Sequence, residues 1–177
     1  MDNFWKLNGG EKVVDAGCGP GNVLNYLPSD VDYYGFDISE EYVKAAREQF
    51  GERGTFMVGT ALDFLNNEDT RLNHADLIVC NGVLHHLEDH EVIDLLELSK
   101  KIMSPTGRLV CTEPVFLAHQ TWLTKWIMSK DRGGNIRTEQ EWKELVGKVF
   151  DSLSTSILTG LTRIPYVHII IECRRNA

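Results

Sequence analysis

The sequence predicts an α/β protein: a mostly parallel sheet with helices on both faces. Two patterns predict it. Short runs rich in β-branched residues alternate with longer runs of helical period, and a glycine-rich turn follows the first strand. Parallel neighbours need a crossover, so such a chain covers both sheet faces and forms an open three-layer sandwich. At 177 residues it suits one domain with a sizeable core.

Taken in order, Lys12 to Ala16 is the first strand, followed by a short helix from Gly21 to about Leu27. Asp32 to Phe36 is the second strand. Ser39 reads as an N-cap, with Glu40 and Glu41 complementing the helix dipole. That helix runs to about Phe50, with Tyr42, Val43, Ala46 and Phe50 inward. Thr55 to Val58 and Ala75 to Cys80 are the third and fourth strands. Asp89 is expected to cap an amphipathic helix carrying Val92, Leu95, Leu96, Ile102 and Met103, which Pro105 and Gly107 close. Arg108 to Thr112 is the fifth strand.

The rhythm then changes. Val115 to Met128 is predicted as a helix, and Asp131 to Asn135 (DRGGN) ends it. Thr138 and Glu141 form a capping box before a helix carrying Trp142, Leu145, Val146 and Val149. Asp151 to Leu158 and Tyr166 to Cys173 are two strands joined by a link too short for a crossover helix, so they pair antiparallel.

Composition removes several function classes. With 18 Lys plus Arg against 26 Asp plus Glu, the formal net charge is −8, which disfavours a nucleic-acid partner. No apolar run reaches the roughly 18 residues of a membrane span, and the start lacks a signal peptide's basic end and apolar middle. The predicted address is cytoplasmic. Cys18, Cys80, Cys111 and Cys173 are scattered and form no C-x-x-C, so no metal site and no disulfide scaffold is expected.

The most informative stretch is VVDAGCGPG, Val13 to Gly21. Gly17, Gly19 and Gly21 fall where a strand must turn sharply while its backbone passes close to a ligand. Asp37 ends the next strand, where a carboxylate can accept both hydroxyls of a ribose. A dinucleotide fingerprint places its third glycine one residue later, so that a pyrophosphate rests on the helix N-terminus. Here the extra carboxylate of Asp15 would repel a pyrophosphate and suit a cation. The P-loop sequence G-K-[ST] is absent.

These residues, with GFDIS (Gly35 to Ser39), DLIVCNGVLHHL (Asp76 to Leu87) and SPTGRLV (Ser104 to Val110), resemble the class I S-adenosyl-L-methionine-dependent methyltransferases. The resemblance spans roughly the first 110 residues in the family's order, and the tail looks like that of small bacterial-type members. It implies a Rossmann-like, seven-stranded sheet with an antiparallel last strand, and a single domain over 1–177 with a substrate cap at about 115–137. It implies that Asp15, Gly17, Cys18 and Gly19 meet the methionine end of the cofactor, that Asp37 binds the ribose and that Ile38 packs on the adenine. Many relatives hold the adenine amino group with an Asp directly after the position of Gly59. Here that position is Thr60, followed by Ala61, so either Asp63 or backbone groups make the contact. Asn81 and Gly82 would line the methyl-bearing side.

Methyl transfer needs alignment, and a base where the nucleophile carries a proton. His85 and His86 follow the fourth strand at the carboxyl edge of the sheet and are the candidate bases, His85 the more substrate-dependent one. Either could instead organise the loop by hydrogen bonding. His119, Trp122, Trp126 and Arg132 are candidate substrate residues, with His119 a reserve base. The Trp spacing equally suits core packing or a subunit contact, as in a homodimer. Gly133 and Gly134 suit a lid hinge or a plain turn, and Arg132 and Arg137 an anion clamp or solvated charges. Tyr166 and His168 read as sheet packing. The expected reaction is O-methylation of a small molecule; because few residues precede the first strand, the pocket is expected to be open, completed by another subunit or adapted to a larger acceptor such as a carrier-bound intermediate. A non-catalytic cofactor-binding partner and an NAD-linked oxidoreductase are the rivals.

Overall fold

A computed structural model of the chain describes residues 5–66, 70–128, 134–159 and 166–175. Five parallel strands, β1 (Lys12–Ala16), β2 (Asp32–Asp37), β3 (Gly54–Val58), β4 (Ala75–Asn81) and β5 (Met103–Phe116), are joined by an antiparallel hairpin, β6 (Ser152–Thr159) and β7 (Val167–Arg174). The order is β3-β2-β1-β4-β5-β7-β6, so strand order reverses between β1 and β4. β7 runs antiparallel to both neighbours, as the short link demanded. Residues Arg137–Thr138 add a two-residue parallel bridge to the end of β5.

Alternation along each strand distributes the core between the two faces. In β4, Leu77 and Val79 join one apolar cluster with Val43, Ala46 and Phe50 of α1 (Glu40–Phe50). Ile78 and Cys80 join the other, with Val92, Leu95 and Leu96 of α3 (Asp89–Ile102) and Trp142 and Leu145 of α5 (Glu139–Val146). All of these are buried, and each large apolar side chain contributes about 1.5–3 kcal/mol by leaving water. Two shorter helices complete the set, α2 (Ala61–Asn66) and α4 (Trp122–Met128).

Four local expectations are corrected. Tyr42 is 52% exposed, because the α1 stripe narrows to Val43, Ala46 and Phe50. The N-cap of α3 is Glu88 rather than Asp89, and its N–H donates to the Glu91 carboxylate (2.8 Å). Only a 3-10 turn at Asn22–Tyr26 follows the glycine turn, where a helix was expected. The predicted helix from Val115 gives way to strand through Phe116, because β7 and Arg137–Thr138 pair with the end of β5. Helix begins again at Trp122, with Thr121 accepting from Thr124 N–H (3.2 Å). Arg132 and Gly133 lie outside the described residues.

Candidate active site

The site begins where β1 ends. Gly17 and Gly19 adopt left-handed φ values of 73° and 52°, a region costly for residues that bear a Cβ. A Cβ on Gly17 would sit 2.4 Å from Cγ2 of Val83, so the glycine lets the β4 loop pack directly on the turn. A Cβ on Gly19 would meet nothing within 4 Å: that face of the turn is open. Cys18 points away from the opening, its Sγ 2.9 Å from where a Gly35 Cβ would be. Burial and the neighbouring Asp15 and Asp37 push its thiol well above the ordinary range, so it is an inert packing group. Cys18 therefore offers a ligand only its backbone.

The turn is held by its own N–H groups. Gly17 and Cys18 both donate to the Phe36 carbonyl (2.8 and 3.0 Å), and Gly19 donates to Asp37 Oδ2 (3.0 Å). The other Asp37 oxygen accepts from Ser39 N–H (2.8 Å). Three amides that would cradle a pyrophosphate are thus already committed, and two carboxylates stand beside them. Asp15 is only 2% exposed and accepts from the Tyr33 hydroxyl (2.7 Å). Burial pushes its carboxyl up to about 7, opposed by the Tyr33 hydrogen bond and reinforced by Asp37. Of the two carboxyl groups, Asp37 is partly exposed, whereas Asp15 is buried.

Ile38, next to Asp37, leaves 72% of its surface in water, an apolar platform at the mouth of the site. Gly59 N–H donates to the Asp37 carbonyl (3.0 Å), which brings the start of Thr60–Ala61 beside it. Thr60 and Asp63 cap α2 reciprocally: Asp63 Oδ2 accepts from Thr60 N–H (2.8 Å) and Oγ1 (2.7 Å). That oxygen serves the helix start.

Across the strand-order reversal, β4 ends in Asn81 and Gly82, and a 3-10 turn (Leu84–His86) carries the histidines. One residue absent from the sequence reading organises this turn. Glu113 on β5 is fully buried, and its Oε1 accepts the N–H groups of Val83 (3.0 Å) and Leu84 (2.9 Å). Its Oε2 accepts His85 N–H (3.3 Å) and lies 2.7 Å from His85 Nδ1. Held this way, a neutral His85 presents Nε2 as its proton acceptor. His85 is 5% exposed; His86 is exposed and stacks on it, with ring centroids 4.0 Å apart. The structure therefore separates the pair, with His85 at the cavity described next and His86 outside it.

Asn135 braces the turn from the far side, donating its N–H to the His85 carbonyl (3.1 Å) and its amide to the Leu87 carbonyl (3.1 Å). Arg137 pairs with Asp89 (2.6 Å) and lies over the Trp142 ring (4.6 Å). It is a strut here, not an anion clamp.

Beside His85 opens a cavity of about 260 Å³. Asn81 and Gly82 line it from β4, Thr112 and Pro114 from β5, and Tyr166 and His168 from the start of β7. The last two are not sheet packing: an antiparallel β7 begins at the edge where the parallel strands end. In that register Pro114 stands opposite His168. The Trp wall is not part of this cavity. Trp122 and Trp126 are 78% and 56% exposed and His119 is exposed. Among the described residues, no cluster of His, Cys, Asp or Glu could hold a metal ion, and no helix is long and apolar enough to cross a membrane.

Comparison with known proteins gives the family. Carboxy-S-adenosyl-L-methionine synthase 1 of Yersinia pseudotuberculosis is 28% identical over 136 residues, 72% of this chain and 56% of that protein. Trans-aconitate 2-methyltransferase of Mycolicibacterium gilvum is 37% identical over 83 residues, 45% of this chain and 29% of that protein. The chain thus spans little more than half of the first relative and less than a third of the second. In fold it is similar to phospholethanolamine N-methyltransferase 2 of Haemonchus contortus, solved with phosphomonomethylethanolamine and S-adenosylhomocysteine. The TM-score is 0.78 at 13% identity, over 99% of this chain and 51% of that one. The family profile described as "Methyltransferase domain" matches residues 2–149, most of the chain, and the glycine turn, Asp37 and the His85 turn all fall within it: the chain belongs to the methyltransferase-domain family.

Proposed function

We propose that this chain is a methyltransferase that uses S-adenosyl-L-methionine to methylate a hydroxyl oxygen of a small molecule, with His85 as general base. The observation that carries this reading is the His85–Glu113 pair, 2.7 Å apart, on a cavity whose loop packs against the glycine turn. The residues fit the cofactor. The open face of Gly19 leaves room for it, Asp37 can accept from its ribose, Ile38 offers an apolar platform, and Asp15 supplies a buried carboxyl that a neighbouring cation would favour in its ionised form. When bound, S-adenosyl-L-methionine supplies a methyl carbon made electrophilic by a sulfonium.

This chain's residues then do the rest. Glu113 holds the imidazole in the tautomer whose Nε2 can take a proton. Nε2 would take the acceptor's O–H proton, while the bound cofactor would supply the methyl carbon to that oxygen and keep the C–S electron pair on sulfur. Val83 and Gly17 bring the two half-sites into contact, which serves alignment, the main requirement of an in-line displacement. The committed amides of the turn argue against a pyrophosphate and hence against a nicotinamide dinucleotide.

His85→Ala tests the reading. Turnover should fall about 10²- to 10⁴-fold, while calorimetric affinity for S-adenosyl-L-methionine stays within about twofold. Turnover unchanged would remove the base. Binding without turnover on any acceptor would favour a non-catalytic partner. A single domain acting on a small acceptor in the cytoplasm, alone or as a homodimer, belongs to this same proposal.

A further inference from the structure

Five buried side-chain polar atoms have no hydrogen-bond partner among the described residues, and three of them, Asn81 Oδ1, Thr112 Oγ1 and His168 Nδ1, belong to the lining of one cavity. Folded proteins seldom leave such atoms unpaired, and a group of them on a single wall signals a polar ligand or trapped water. Thr112 is 6% exposed, so water does not satisfy it from outside. At about 260 Å³ the cavity is at the small end for ligand sites. The Tyr166 and His168 rings, 5.8 Å apart and inclined by 36°, form an aromatic side, and Pro114 adds apolar surface.

Charge narrows the ligand. No Lys or Arg among the described residues lines the cavity. Burial holds His168 below the usual histidine range, so its ring is neutral at pH 7. Behind the wall stands the buried Glu113 carboxylate, in contact with His85. An anion entering here would lose its hydration and find no Lys or Arg to replace it.

We propose that this cavity is the acceptor subsite, and that it takes an uncharged single-ring hydroxyl compound rather than a carboxylate or phosphate. A second polar substituent of the ring bonds Thr112 Oγ1 and His168 Nδ1 while the hydroxyl to be methylated faces His85. The inference rests on the methyl-transfer reading above and names its acceptor class.

The test is calorimetry on the full chain saturated with S-adenosylhomocysteine, titrated with hydroquinone and, separately, with trans-aconitate. Hydroquinone should bind and trans-aconitate should not. Thr112→Val and His168→Phe, which keep size while removing the orphaned atoms, should each weaken hydroquinone about tenfold, about 1.4 kcal/mol. S-adenosylhomocysteine affinity should not change in either variant. Should one variant fail to fold, the other carries the result. Trans-aconitate binding with hydroquinone silent overturns the proposal, and its loss in Arg132→Ala would assign an anion clamp to the cap instead. Unchanged hydroquinone affinity in a folded variant also overturns it, leaving trapped water as the partner of these atoms. Failure of S-adenosylhomocysteine to bind overturns the methyl-transfer reading itself, a result distinct from the others.

Discussion

The two halves of the site are built on opposite plans. On the β1–β2 side the polar groups of the turn are already answered: the turn amides by Phe36 and Asp37, Asp37 by two N–H groups, and Asp15 by Tyr33. On the β4–β5–β7 side three buried polar atoms wait for a partner. A closed network holds a fixed shape for one invariant ligand, whereas unpaired atoms express a preference that only the right ligand satisfies. Under the proposed function, the cofactor half is rigid and general, and the acceptor half carries this chain's specificity.

The largest break in that contrast should come from Glu113→Ala. It strands the N–H groups of Val83, Leu84 and His85 and releases the His85 ring. About 3–5 kcal/mol of stability should go, seen as a lower urea midpoint, with turnover falling alongside and cofactor affinity moving least.

Next, the two glycines should separate shape from space. Gly17→Ala combines a positive φ with a clash against Val83 and should cost about 1–3 kcal/mol in thermal unfolding. Gly19→Ala meets no protein atom, so it should cost about 1 kcal/mol from backbone strain and weaken S-adenosylhomocysteine more than its stability loss explains. Equal effects of the two on binding would mean that no ligand covers Gly19.

Asp15 gives a signed effect that depends on pH. Its folded value, about 7, lies above the ordinary 3.8. The stability it contributes is full below pH 4 and is lost as pH rises through 7, at no more than about 1.4 kcal/mol per pH unit. Asp15→Asn should therefore be more stable than the parent at pH 8 and indistinguishable from it at pH 4. Cationic S-adenosyl-L-methionine prefers the ionised carboxyl, so parental affinity should rise from pH 6 to 8 while that of Asp15→Asn stays flat. Parallel pH curves for the two proteins would take Asp15 out of the electrostatics.

Much of the cofactor half could be read from residue order because its contacts are local. Asp15, Gly17, Gly19 and Asp37 lie within one strand–turn–strand unit, where spacing and φ requirements reach the sequence directly. His85 was found for the same reason, as it follows a strand that ends at the ligand edge. Glu113 was missed because its partners lie about 30 residues away and a lone acid after a buried strand resembles a strand end. The sequence leaves the Trp pair between substrate wall, core packing and subunit contact because helical spacing says which residues share a face, not what that face meets. Here Trp122 meets water.

Strand and helix order, the antiparallel hairpin and the left-handed glycine turn follow from the chain's own periodicity and stereochemistry, which act over a few residues. Tertiary structure alone decided that Asp15 is buried, that Arg137 is a strut, that Glu113 grips the His85 turn and that Tyr166 and His168 face a cavity. Each of those depends on which strands become neighbours, and neighbour identity is set by packing the whole sheet, not by any short stretch of it.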